Sequence, residues 1–151
     1  MKLNVCWHKL NTICDARGCL TAIEAVQNVS FEIKRIFYMH DVRKGADRGG
    51  HAHKDTDQFA IAISGSLRIL VSNGVCSKVV ILNEPGWGVY LPRLTWTRLY
   101  DFSDDAVCLV LANTHYDRSK SIRTWSEFQE FAGAAPSEEP TDAGLFLRPK
   151  E

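Results

Sequence analysis

The chain carries no excess of charge. Its eighteen lysines and arginines balance eighteen aspartates and glutamates, so no global field draws it to nucleic acid or to an anionic membrane. Any anion it binds must be held by a local arginine cluster. It also lacks an apolar run approaching a bilayer span, and its opening MKLNVCWHKL has no apolar core long enough for a signal peptide. A soluble, cytoplasmic protein is therefore expected. No Cys-x-x-Cys pair occurs, and the five cysteines are an odd number lying partly in strand-like apolar runs. They read as reduced, mostly buried thiols. There is no internal repeat and no sign of a second domain. What the sequence does have is the makeup of one globular domain: 151 residues, 45% hydrophobic and 24% charged. That domain is placed at residues 1–132. The tail at 133–151 is small, acidic and proline-containing, and is expected to be mobile.

Short β-type runs punctuated by turn residues fill most of the domain. Residues 3 to 9 and 20 to 26 flank Asp15-Ala16-Arg17-Gly18, which reads as the turn of an amino-terminal hairpin or arm. In FEIKRIFYM, the alternation puts Phe31, Ile33 and Arg35 in one phase, an imperfect pattern that fits a strand with both faces partly covered. QFAIAI sets Phe59, Ile61 and Ile63 against small Ala60 and Ala62. Asn73-Gly74 is a two-residue hairpin signal between LRILVS and VCSKVVIL. Three further runs, GVYLP, TWTRLY and AVCLVLAN, complete an antiparallel barrel or sandwich. Only the end differs, where Thr124 and Glu127 form a capping box opening a helix, with Phe128 and Phe131 at helical spacing.

The chemistry concentrates in Gly-(x)5-His-x-His-(x)4-Gln-(x)6-Gly, from Gly45 through His51, His53 and Gln58 to Gly65. On an extended strand, residues two apart share a face, so both imidazoles project to the same side. Arg43, Arg48 and Lys54 add positive charge suited to a phosphorylated ligand. His8, His40 and His115 have no such context and read as structural or surface residues. Two imidazoles beside a cavity serve either proton transfer or metal binding.

This pattern resembles the first motif of the cupin superfamily, which implies an all-β fold, a jelly-roll barrel of antiparallel strands with a short C-terminal helix. Where that motif usually has glutamate this chain has Gln58. Its second motif can be laid from Gly86 through Pro92, with Leu94 in place of glycine, Thr97 of histidine and Asp101 of asparagine. Two imidazoles and an amide hold a divalent ion poorly, because amide oxygen is a weak substitute for carboxylate. No metal and no cofactor are expected, and the histidines read as acid-base groups.

A closer resemblance is carried by RGGHAHKDTDQ, ISGSLRILVSNG, GWGVYLPRLTWTRLYDFSDDAVCLVLANTHYD and IRTWSEF. Together, over residues 4–128, they are similar to the nucleotide-linked 4-keto-6-deoxyhexose 3,4-ketoisomerases, metal-free cupins acting on a thymidine-diphosphate sugar. The resemblance implies that a histidine moves a proton between C3 and C4 through an enediol, and that the product feeds a later aminotransferase. It also implies a homodimer in which the amino-terminal strands pack on, or exchange with, the partner's sheet. Residue by residue, it makes His51 the base and acid and His53 its companion. Tyr38, Arg43 and Arg48 would line the cavity, with Arg48 or a tyrosine hydroxyl facing the enolate oxygen. Lys54, Gln58 and Trp96 would meet substrate, Trp96 by stacking. Arg17 and Thr97 occupy positions tied to the C4 stereochemistry. Thr97 stands where the family often has histidine or arginine and cannot donate a proton in their way, so galacto and gluco outcomes stay open. A 3,5-epimerase would need a histidine-aspartate pair and an opposed tyrosine, a pattern not found here. A non-catalytic sugar-nucleotide-binding cupin is the other alternative.

Overall fold

The computed structural model describes residues 2–150. Among the described residues twelve strands are formed. They are β1 (Cys6–Lys9), β2 (Asn11–Asp15), β3 (Gly18–Ala22), β4 (Arg35–Met39), β5 (Arg48–His53) and β6 (Gln58–Ser64). Then come β7 (Leu67–Ser72), β8 (Ser77–Leu82), β9 (Trp87–Leu91), β10 (Trp96–Tyr100), β11 (Val107–Ala112) and β12 (Ser121–Ile122), followed by helix α1 (Trp125–Ala132). Two five-stranded sheets, ordered β1-β9-β6-β11-β4 and β12-β5-β10-β7-β8, face each other with all their pairs antiparallel. This is the expected all-β jelly-roll architecture. Among the described residues no helix is long and apolar enough to cross a membrane.

The alternation in QFAIAI decides which face of the first sheet turns inward. Ala60 and Ala62 point between the sheets with Leu67, Ile69, Val71, Val80, Val89, Cys108 and Val110, forming the barrel core. Phe59 and Ile61 lie on the outer face, covered by Leu10, Val29 and Phe31. On β6 the small residues thus take the crowded interior and the large ones the outside. FEIKRIFYM becomes a strand only from Arg35 onward. Its first residues instead carry Phe31 and Ile33 across the outer face.

The Asp15-to-Gly18 turn forms where expected, with β2 and β3 paired only with each other. Cys14 lies directly opposite Cys19, the two Cα atoms 4.0 Å apart, and a disulfide joins them. This corrects the expectation of five reduced, mostly buried thiols. Once the turn is fixed, the residues flanking it face each other across the ribbon, within bridging distance. Of the remaining cysteines, Cys6 and Cys76 are exposed, and only Cys108 is buried, which pushes its thiol up to about 12.

The β7–β8 connection is longer than Asn73-Gly74 predicts. Ser72 pairs with Ser77, leaving four residues in the loop, and the Asn73 side chain accepts hydrogen bonds from the amides of Val75 and Cys76. That asparagine organises a wider turn through its side chain. Helix α1 begins as the capping box predicts: Thr124 accepts from the Glu127 amide, and Gly133, at φ 69°, closes the other end. Phe128 is buried against Trp96 and Trp125, whereas Phe131 is exposed.

In the tail for which the sequence predicts mobility, residues 139, 144 and 146 make defined contacts. Glu139 accepts from the indole of Trp96 and from Arg98. The amide of Val79 donates to Gly144, that of Phe146 donates to Val79, and the Trp7 indole donates to the Phe146 carbonyl.

Candidate functional site

The histidine strand owes its phase to two glycines. Thr97 of β10 pairs with His51, but Arg98 pairs with Gly49, so Gly50 is the extra residue of a β-bulge. Gly49 and Gly50 have φ of 89° and 75°, and a Cβ on Gly49 would stand 2.8 Å from the Thr97 carbonyl oxygen. Only glycine fits there. Downstream of the bulge, His51 and His53 project together into the mouth of the barrel while Ala52, between them, is buried on the opposite face. The turn after β5 is held by Asp57, which accepts from the Arg93 and Asn113 side chains at 3.2 and 3.1 Å and from the Arg93 amide at 2.8 Å. These bonds fix the start of β6 and hence Gln58. At Leu94, where the cupin pattern has glycine, φ is 60°, so the left-handed backbone that glycine favours is kept by a leucine.

The mouth opens into a cavity of about 770 Å³. Within it the two imidazole rings stand 4.9 Å apart, edge to face at 81°. The Gln58 amide nitrogen lies 3.3 Å from Nε2 of His53. With the amide nitrogen facing it, this ring nitrogen accepts, a contact that suits the neutral imidazole. A glutamate at the same place would instead favour the imidazolium. Burial, the adjacent His51 and the guanidinium of Arg35 push His53 down to about 4. His51 is also held below its ordinary value, by burial first and then by Arg123, against the hydrogen bond its ring donates to the Gly49 backbone, which raises it. Both rings are therefore neutral at physiological pH, ready to accept a proton.

The other expected site residues divide into two groups. Arg48, Tyr38, Gln58 and Thr97 line the cavity with the histidines. Tyr38 does so from the rim: it shares the outward phase of β4 with Ile36, is 61% exposed, and tilts its ring against His40. Arg17, Arg43, Lys54 and Trp96 do not line it. Arg17 sits at the tip of the β2–β3 hairpin, ion-paired with Asp15. Lys54 turns over the Phe131 ring at 5.6 Å. Trp96 precedes Thr97 on the strand and so faces the other way, buried among Phe128, Trp125 and Ile122. The stacking role expected of it is incompatible with that position.

The sequence reading missed Arg35, Tyr116 and Arg123, which also line the cavity. Arg35 had a visible signal, a charged residue in the apolar phase of FEIKRIFYM. Tyr116 and Arg123 belong to the segment after β11, where no periodicity points to them. Among the described residues no group of three or more His, Cys, Asp or Glu is placed to hold a metal ion.

Comparison with known proteins adds to this geometry. The family described as "FdtA: WxcM-like, C-terminal" matches residues 3–133. The TDP-4-oxo-6-deoxy-alpha-D-glucose-3,4-oxoisomerase of Aneurinibacillus thermoaerophilus is 37% identical over 119 residues, which is 79% of this chain and 86% of that protein. The chain belongs to this family of sugar 3,4-ketoisomerases. Its fold agrees with solved members. A 3,4-ketoisomerase from Helicobacter canadensis superposes with a TM-score of 0.85 at 34% identity, covering 87% of this chain and 99% of that one. A histidine-to-asparagine variant of the ketoisomerase QdtA from Thermoanaerobacterium thermosaccharolyticum, in complex with TDP-4-keto-6-deoxyglucose, also gives 0.85, at 36% identity over 87% of this chain and 96% of that one.

Proposed function

We propose that this chain isomerises TDP-4-keto-6-deoxyglucose to the 3-keto sugar. The observation that carries the reading is the pair of neutral imidazoles side by side in an arginine-lined cavity. A ketone at C4 makes the C3 hydrogen acidic. An imidazole nitrogen of His51 takes that proton, and the C3–H bonding electrons form the C3–C4 double bond as the carbonyl electrons move onto O4. Protonation of this enediolate at O4 gives the enediol; loss of its O3 proton then forms the C3 carbonyl as the C3–C4 double-bond electrons take a proton at C4 from the same imidazole. His53, kept neutral, is the hydrogen-bonding companion through which the hydroxyl protons exchange. No cofactor is consumed. Arg48 and Arg123, exposed at the rim, suit the diphosphate by the geometry of the guanidinium fork. Thr97, opposite His51 in register, faces the sugar.

The reading extends to a homodimer acting in the cytoplasm. Ile13 and Leu20 on the hairpin and Ile36 and Tyr38 on the edge strand β4 are all at least 60% exposed. An unpartnered apolar ribbon and an unpaired apolar edge are the surfaces that a second copy covers. Arg17 lies outside its own protomer's cavity and reaches a substrate site only by such an exchange.

Proton NMR of the protein with TDP-4-keto-6-deoxyglucose in deuterated buffer, without added metal, tests the isomerisation. Deuterium at C4 of a new 3-keto species is the expected result, and its coupling constants report galacto or gluco configuration. Binding without exchange would mean a cupin that only holds the sugar nucleotide.

A further inference from the structure

We propose that Arg35 is a catalytic residue: its guanidinium, set inside the barrel beside the histidines, carries the negative charge that develops on the substrate's carbonyl oxygen. This rests on the ketoisomerase reading above and assigns that charge to a residue other than the rim arginine Arg48.

Three observations place it there. First, the pleat: Arg35 shares the inward phase of β4 with Phe37 and Met39, which join the barrel core, and its Cα pairs with Ala112. Ala112 pairs on its other side with Gln58 of β6, the residue bonded to His53. Arg35 and Gln58 therefore flank one residue at the same level of the barrel. Arg48, by contrast, is exposed at the rim.

Second, Arg35 has no anionic partner. Among the described residues no carboxylate forms an ion pair with it, and its Nε is the buried side-chain nitrogen left without a hydrogen-bond partner. An arginine stays charged even where burial lowers its pKa, as it does here. A partly desolvated cation with unspent donors is costly unless something completes it. An anion formed in the cavity does so.

Third, its orientation is fixed by rings rather than by charges. Its Cζ lies 5.5 Å from the centroids of both Phe37 and Tyr116. Those contacts hold the planar group without neutralising it. When the C3–H electrons move onto O4, the oxygen passes from a weak acceptor to a full anion. A donor prearranged for that oxygen acts more strongly on the transition state than on the bound ketone.

The test is the division of the effect between kcat and affinity. Arg35→Gln, which keeps length and some hydrogen-bonding capacity but no charge, is measured with TDP-4-keto-6-deoxyglucose beside the unaltered protein, and TDP affinity and melting are recorded for both. A kcat lower by about a hundredfold or more, with TDP affinity within threefold, is expected for the loss of one oxyanion donor. Weaker TDP binding with kcat preserved would make Arg35 a diphosphate anchor and overturn the assignment, as would unchanged kinetics. If Arg35→Gln does not fold, Arg35→Lys carries the same division, with kcat expected to fall at least tenfold at unchanged TDP affinity; full activity would overturn it. Unaltered protein that binds the sugar nucleotide without proton exchange refutes the ketoisomerase reading and this inference together. An active protein with an equally active variant refutes the inference alone.

Discussion

The two ends of the barrel are built from the same strands in the same inward phase, yet one is a site and the other a plug. On β4 the inward residues run from Arg35 to Phe37 and Met39, on β6 from Gln58 to Ala60 and Ala62, and on β10 from Thr97 to Leu99. Each strand changes from polar to apolar in a single step of the pleat, roughly 7 Å. Below that step Ile69, which pairs with Leu99, and Val80 have no exposure at all. Above it, the side chains have partners to offer a ligand. An apolar floor directly under the histidines lowers the local dielectric, which keeps both imidazoles neutral and strengthens any charge interaction above it. The plug thus contributes to the chemistry without touching it.

The largest effect expected from breaking this division comes at the mouth. His51→Asn removes the base while keeping a similar shape, so kcat should fall by about a thousandfold or more, with TDP affinity within tenfold and melting little changed. Loss of binding with the fold intact would remove His51 from the role of base. At the other end the signature reverses. Ile69→Ala opens a void among fully buried neighbours and should cost about 3 kcal/mol of stability, read as a lower urea midpoint. The rate per folded molecule should hold, and a tenfold loss would show that the plug positions the histidines directly.

A smaller effect sharpens the electrostatic part of the comparison. His51 must be neutral to act as base, and its pKa lies below the usual 6.5. Activity should therefore be complete at neutral pH and fall only as pH drops below 6.5. Part of that depression comes from Arg123, whose positive charge disfavours the imidazolium. Arg123→Gln should move the acid limb of kcat/KM upward, toward 6.5, whatever it does to substrate binding. A limb that stays in place would leave burial as the sole cause.

Much of this division is legible in the sequence, and the losses have physical reasons. Period-two patterning in QFAIAI, the turn at Asp15 to Gly18, the cap at Thr124 and the paired histidines all encode local geometry, and each is found in the structure. The Cys14–Cys19 bridge was missed because spacing along the chain hides a pairing that exists only across a hairpin. Arg35 was legible as a charge in an apolar phase, but an arginine at a strand's start is equally compatible with an exposed end; only the register with Ala112 and Gln58 puts it inside. Lys54 and Arg43 were placed near the site by proximity in sequence. Lys54 itself turns toward Phe131 of α1 and Arg43 toward solvent, a matter of tertiary direction that composition does not contain.

Trp96 and Thr97 give the finest form of the comparison, since adjacent strand residues must face opposite ways. The bulge at Gly50 sets Thr97 opposite His51, which leaves Trp96 packed against Phe128 with its indole nitrogen donating to Glu139 at 3.0 Å. Trp96→Phe keeps a ring in that cluster and loses the donor, while Arg98 continues to hold Glu139. Stability should fall by about 1 kcal/mol, the scale of one hydrogen bond with a modest volume change, and KM should stay within twofold. Thr97→Val keeps the shape and removes a hydroxyl from the cavity, so kcat/KM should drop several-fold while melting holds. If Trp96→Phe moved KM and Thr97→Val moved only stability, the register of β10 against β5 would be off by one residue, because a one-residue slip exchanges the two faces.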